Sequence, residues 1–255
     1  MPETKAQKDK TQLIKAQLIK ALFERFEQDK PDPRTELHYV NPFTLLVAVV
    51  LSAQATDKGV NKATEPLFKI ASNPRDMAAI DLAELTRMLS TINLYPTKAK
   101  NVHRLSQILL EKHGGEVPLD REALLELPGV GNKTASVVLN ELNVLPAIAV
   151  DTHVYRVSHR LGIVPASANT PDKVERELMR VIPKPWLTRA HHWLILHGRY
   201  VCVARKPKCE ICIVRDLCPR IGVETVPFVD AAEARAAKKV AQPKLHTKAP
   251  RRPRG

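Results

Sequence analysis

The sequence predicts an all-α protein, and three features carry that reading. Apolar residues recur at helical spacing along most of the chain. No stretch alternates apolar and polar residues between hairpin turns. Pro, Gly, Asp and Thr stand where helices would begin and end. Taken in order, Leu13, Ile14, Leu18, Ile19, Leu22 and Phe23 form one stripe, closed by Pro31 and Pro33. Helical spacing then covers residues 42–55, 57–70, 81–90 and 97–113, the last stopped by Gly114 and Gly115 in positions suited to a left-handed cap. Shorter helices are expected over 120–127, 132–142, 152–161, 171–181 and 185–199. Beyond Pro219 the periodicity fades, and residues 229–255, rich in Ala, Lys, Arg and Pro, read as a solvated tail.

Composition narrows the function. Hydrophobic residues make up 44% of the 255, enough for a real core. The formal net charge is +13, of which 229–255 carry +6, so residues 1–228 are basic in their own right at +7. That excess favours a polyanionic partner, with nucleic acid ahead of an acidic membrane. The longest apolar run, residues 43–51, is too short to span a bilayer, and the N-terminus lacks a secretory pattern. The expectation is an intracellular chain, cytoplasmic and nucleoid-associated if bacterial, with no membrane part and no feature that demands a dimer. In a reducing compartment, clustered cysteines point to metal binding or catalysis rather than disulfides.

All four cysteines, Cys202, Cys209, Cys212 and Cys218, follow the pattern C-x6-C-x2-C-x5-C. Four thiolates suit a [4Fe–4S] cluster or a structural zinc. A single close pair with longer gaps favours iron–sulfur without closing the zinc alternative. Arg205, Lys206 and Lys208 lie between the first two cysteines. They form either a phosphate grip or a merely solvated basic loop.

The segment Leu127-Pro128-Gly129-Val130-Gly131-Asn132-Lys133 joins two helical stretches. Gly129 and Gly131 permit a tight hairpin that exposes backbone N–H groups to a DNA phosphate. Lys133 falls in the first turn of the next helix, where the helix field disfavours its charge and raises the fraction of neutral, nucleophilic amine. Position alone leaves a simple phosphate contact as the plainer role. Asp151 precedes Thr152-His153-Val154-Tyr155-Arg156 and is first of all a helix cap. Beside Lys133 it would also stabilise positive charge on a sugar during C–N cleavage.

These residues together resemble the endonuclease III family of helix-hairpin-helix DNA glycosylases. The resemblance is carried in order by Leu51-Ser52-Ala53-Gln54-Ala55-Thr56-Asp57, residues 127–134, Val150-Asp151-Thr152-His153, His192-Trp193-Leu194-Ile195-Leu196-His197-Gly198-Arg199 and the four cysteines. It runs from about residue 35 to residue 218. It implies two helical domains with a DNA-binding cleft between them. One is a six-helix barrel with the helix-hairpin-helix, over 35–146. The other is an iron–sulfur domain over 147–222, with an N-terminal helix in 1–34 packed on it and a basic tail over 223–255. It further implies a bifunctional enzyme of base excision repair that removes oxidised pyrimidines from duplex DNA and cuts 3′ to the abasic site. Lys133 falls on the family's nucleophile, Asp151 on its aspartate, and Gln54 and Leu94 on the side chains that fill the vacated stack. His153, beside Asp151, would orient a phosphate or lesion or serve as a satisfied structural histidine, and Glu126, just before the hairpin, would support the site. The stretch Ile92-Asn93-Leu94-Tyr95-Pro96-Thr97 departs from the pattern, with Asn93 where glycine is common and Pro96 where proline is unusual. Two other readings fit parts of the sequence: a monofunctional mispair glycosylase of the same fold, whose relatives lack the lysine, and a non-enzymatic helix-hairpin-helix DNA-binding protein.

Overall fold

The computed structural model describes residues 5–223, so the expected tail 229–255 lies outside the described residues. Among those residues the chain is helical, with no strand. The helices are α1 (Lys5–Asp29), α2 (Pro42–Ser52), α3 (Asp57–Ile70), α4 (Pro74–Ala79), α5 (Leu82–Met88), α6 (Tyr95–His113), α7 (Arg121–Leu125), α8 (Asn132–Glu141), α9 (Thr152–Arg160), α10 (Pro171–Val181) and α11 (Leu187–Tyr200). Single 3-10 turns cover Lys184–Trp186 and Cys209–Ile211. None of the described helices is long and apolar enough to cross a membrane.

Cap chemistry places most boundaries. Asn41 and Thr44 form a reciprocal capping box at the start of α2, with Pro42 in the first turn. The side chains of Thr56, Asp81, Asp120 and Thr170 cap α3, α5, α7 and α10. Helix α6 begins two residues earlier than its apolar pattern suggests, because Pro96 sits in the first turn, where a missing N–H costs nothing. Helix α4 went unseen in the sequence: at 6 residues it is too short to show a stripe.

The apolar residues gather into two cores. The first joins α2 to α8 around α2, whose residues 43–51 are all buried. The second joins Ile19, Leu22, Phe23 and Phe26 of α1 to α9, α10, α11 and Val214. The N-terminal helix therefore packs with the C-terminal half, held there also by Trp193 Nε1 donating to the Lys30 carbonyl (2.8 Å) and Trp186 Nε1 to Glu27 (3.0 Å). Polar ties join the two cores. Asn140 on α8 donates to the Thr188 carbonyl (2.9 Å). Buried His192 on α11 pairs with buried Glu141 on α8 (3.0 Å), which also accepts from the Tyr39 hydroxyl (2.9 Å). Burial pushes the Tyr39 hydroxyl up to about 12, helped by the neighbouring Glu141 carboxylate.

The two hairpin glycines do different work. Gly129 has φ +82, and a Cβ there would lie 2.9 Å from the Asn101 amide nitrogen and 3.1 Å from Val50. Gly131 is extended, with φ −101, and a Cβ there would meet nothing within 4 Å. The tight turn thus needs one glycine where the sequence offered two. Gly129→Ala should cost about 2 kcal/mol or more of unfolding free energy in urea titration, and Gly131→Ala less than about 1 kcal/mol.

Candidate active site

A groove with a volume of about 860 Å³ lies between the cores and is lined from both sides. From the first come Gln54, Asp57, Lys133 and Val137; from the second come Asp151, His153, Ile195 and Arg199. That space lies within the ordinary range of ligand sites. Lys133 and Asp151 therefore share one cavity although 18 positions separate them in the chain.

Each is placed by a helix start. Gly131 caps α8 with no side-chain partner for the first amides, so the N–H groups beside Lys133 remain available to an anion. Lys133 itself is exposed in the groove. Asp151 caps α9: its Oδ1 accepts from the N–H of His153 and of Val154, both at 2.8 Å. Asp151 both caps α9 and lines the groove, so its capping does not keep it from the cavity. His153 Nδ1 lies 3.2 Å from Arg156 Nη2 and its Cβ packs against Gly198, where an added Cβ would approach within 2.8 Å. Gly198 lets α11 press onto the start of α9.

Arg199 joins the two sides of the groove. Its Nη1 bonds to Asp57 at the start of α3 and to Glu36, which also accepts from the Tyr200 hydroxyl. Burial works against its charge, but the two carboxylates more than offset that and raise its pKa further. His191, also lining the groove, is 4% exposed, and its Nδ1 has no hydrogen-bond partner. Burial, reinforced by the charges of His192 and Lys133, pushes its pKa down to about 3.

The insertion candidates sit on two loops. Gln54 (φ 54) and Leu94 (φ 58) both adopt the left-handed conformation, at a cost of about 1–3 kcal/mol each for residues with a Cβ. Leu94 is 57% exposed and is no part of the buried core. Gln54 lines the groove and Leu94 does not. Glu126 corrects the sequence reading: it pairs with Lys112 at 3.3 Å, away from the groove, because a lysine one helix back competes for it on the surface. Gly129 packs against α6 rather than lining the groove, and Arg205, Lys206 and Lys208 are exposed on the cysteine loop, outside the groove lining.

The cysteine loop is gripped by α9. Arg156 Nε donates to the Cys202 carbonyl (3.0 Å) and Nη2 to the Gly198 carbonyl (2.8 Å). Arg160 donates to the Val203 and Ala204 carbonyls (2.7 and 2.9 Å) and to Cys202 Sγ (3.6 Å). From α1, Arg25 donates to the Ile213 carbonyl (2.8 Å) and to Asp216 (2.7 Å). The four thiols are half-buried. Burial, together with the other three cysteines, pushes Cys212 up to about 11. Such a set holds thiolates only beside strong positive charge, which a metal centre supplies. N–H donors already face two sulfurs, Arg160 at Cys202 and the Arg220 amide at Cys218 (3.3 Å), and His197 Nε2 lies 3.6 Å from Cys212 Sγ. No three His, Cys, Asp or Glu side chains among the described residues gather closely enough for a single ion. A [4Fe–4S] cluster instead takes one thiolate at each of four irons, and this donor set fits it.

Comparison with known proteins defines the class. The sequence pattern of the HhH-GPD superfamily of base excision DNA repair proteins matches residues 47–184, and that of the iron–sulfur binding domain of endonuclease III matches 202–218. The chain is 50% identical over 205 residues to endonuclease III of Rickettsia conorii, covering 80% of this chain and 97% of that protein. It is 50% identical over 194 residues to endonuclease III of Escherichia coli K12, covering 76% and 91%. A solved structure of a trapped endonuclease III–DNA covalent intermediate aligns with a TM-score of 0.74 at 45% identity, over 80% of this chain and 96% of that one. The chain belongs to the endonuclease III family, and it is a base-excision-repair DNA glycosylase/lyase that carries a [4Fe–4S] cluster.

Sequence reasoning missed the roles of Arg156, Arg160, His191, Gly198 and Arg199. A His-Gly-Arg run inside a helix was a signal, since glycine there marks close helix contact, but the partners of Arg199 lie 142 and 163 residues away.

His191 makes a pH prediction. It stays neutral in the fold down to about pH 3, whereas the unfolded imidazole takes up a proton below about 6.5. Stability is therefore unaffected by His191 above pH 6.5 and falls by about 1.4 kcal/mol per pH unit as pH drops from there toward 3. His191→Gln should remove that share of the slope in urea titrations from pH 7 to 4.

Proposed function

We propose that the chain releases an oxidised pyrimidine from duplex DNA and then cuts the strand 3′ to the lesion, with Lys133 as nucleophile and Asp151 as its carboxylate partner. The observation that carries this is the shared groove, in which a helix-start amine and a helix-cap carboxylate face one cavity. Its space admits an extruded nucleotide, and extrusion is required because C1′ is shielded in the stacked duplex.

The chemistry follows from the two groups. Neutral Lys133 Nζ attacks C1′ while the C1′–N bond breaks and its electron pair leaves with the base, which takes up a proton. Asp151 stabilises the positive charge that builds on the sugar. Ring opening gives a protonated Schiff base. Loss of a proton from C2′ then expels the 3′ phosphate oxygen and breaks the C3′–O bond. Water finally hydrolyses the imine and frees Lys133.

The surrounding residues hold the duplex. The uncapped amides at the start of α8, set up by Gly129 and Gly131, receive a backbone phosphate. Arg205, Lys206 and Lys208 form a second phosphate grip on the loop that the cluster shapes, and His153 steers the groove end of α9. Gln54 and Leu94 fill the stack left by the extruded nucleotide. The trapped endonuclease III–DNA intermediate, 45% identical to this chain, supports the covalent route. A solved non-covalent endonuclease III–DNA complex at the same identity supports duplex binding. We assign 35–146 to the barrel domain and 147–222 with 1–34 to the cluster domain, in line with the two cores. The working form is a monomer acting on cytoplasmic, nucleoid DNA.

Borohydride reduction on abasic-site duplex should trap wild-type protein covalently. Lys133→Ala should lose trapping and strand cleavage by ~10³-fold or more while folding normally. Asp151→Asn, which keeps a cap acceptor, should lose about 10²-fold in base release. Base release without any trapped adduct would favour the monofunctional reading.

A further inference from the structure

We propose that Asn93 is a positioning residue that clasps the two insertion loops, so that Gln54 and Leu94 enter the duplex as one unit. The idea rests on the reading of Gln54 and Leu94 as stack-filling residues and adds what fixes their spacing. Asn93 Nδ2 donates to the Gln54 carbonyl at 3.3 Å, across 39 positions of sequence. The bond joins the loop that follows α2 to the loop that precedes α6.

Backbone conformation gives the clasp its purpose. Among the described residues, five other than glycine have positive φ, and two of them are Gln54 and Leu94. A strained residue keeps such a conformation only where its surroundings fix it. Leu94 is fixed from its own side: its carbonyl accepts from Lys98 N (3.0 Å), Tyr95 packs on the first core, and Pro96 rigidifies the turn behind it. On the other loop, Ala55 N donates to the Ser52 carbonyl (3.0 Å) and Thr56 caps α3, while Gln54 lies between them with its carbonyl turned toward Asn93. The rigid Leu94 loop thus holds the Gln54 loop through one amide. Glycine at position 93 would have no side-chain donor, so the clasp depends on the Asn93 amide. Pro96 stiffens the anchor and Asn93 extends its hold to the other loop.

The test uses full-length, cluster-loaded protein and a duplex with 2-aminopurine opposite an uncleavable abasic analogue, whose fluorescence reports unstacking. Asn93→Ala and Asn93→Gly should each shift the equilibrium between stacked and inserted duplex about threefold to tenfold toward stacked, the worth of one neutral hydrogen bond. Iron content and Tm should stay at wild-type values. In a Gln54→Ala background, Asn93→Ala should add less than about twofold, because its effect runs through Gln54. Additive losses, or full insertion by Asn93→Gly, would overturn the clasp while leaving the insertion reading intact. Unchanged fluorescence in Gln54→Ala and Leu94→Ala would sink the insertion reading itself, and the clasp's function with it.

Discussion

The site depends on how its two sides are tied together, and the Arg199 guanidinium is central to that tie. Two separately packed cores must face each other at a fixed distance if a lysine on one and an aspartate on the other are to address the same sugar. Arg199, on α11 of the second core, reaches across to Asp57 and Glu36 on the first. Taking an arginine out of water is costly, and two carboxylates with a tyrosine hydroxyl on one of them offset that cost. The geometry is demanding: a planar donor set fits two acceptors at only a narrow range of separations. The result is a groove whose two sides are joined by charged ties among its own lining residues.

Helix α9 extends that constraint to the metal centre. Its first turn is held by Asp151, its middle by Arg156 on the Cys202 and Gly198 carbonyls, and its end by Arg160 on the cysteine loop. A nine-residue helix thus connects the groove directly to the segment that holds the cluster. The cluster's contribution, on this view, is to close a loop on which α9 is anchored and from which Arg205, Lys206 and Lys208 project. In the proposed function it shapes the surface offered to DNA, while the bond-breaking chemistry belongs to the groove.

Much of this was legible in the sequence for physical reasons. Caps such as Asn41, Asp120, Asp151 and Thr170 act over two or three residues, so chain order encodes them directly. The cysteine spacing, the hairpin and the order of the motifs are likewise local. What stayed hidden is long-range or degenerate. Nothing local reveals that Arg199 meets Glu36 or that Asn93 meets Gln54. Gly131 reads like Gly129 until the backbone shows that only one is left-handed. Glu126 beside the hairpin looked like part of the site, but the opposing Lys112 decides where it points. Lys133 illustrates the limit: helix-start position alone favoured a phosphate contact, the family resemblance implied a nucleophile, and the structure adds that Lys133 and Asp151 line one cavity.

The central claim is that one particular amine bonds to deoxyribose in that cavity. Reduced adduct on abasic-site duplex, digested to peptides and sequenced by mass spectrometry, identifies the amine directly. The account predicts the sugar remnant on Lys133 alone. A remnant on another amine, such as Lys98, whose buried nitrogen lacks a hydrogen-bond partner, would contradict it.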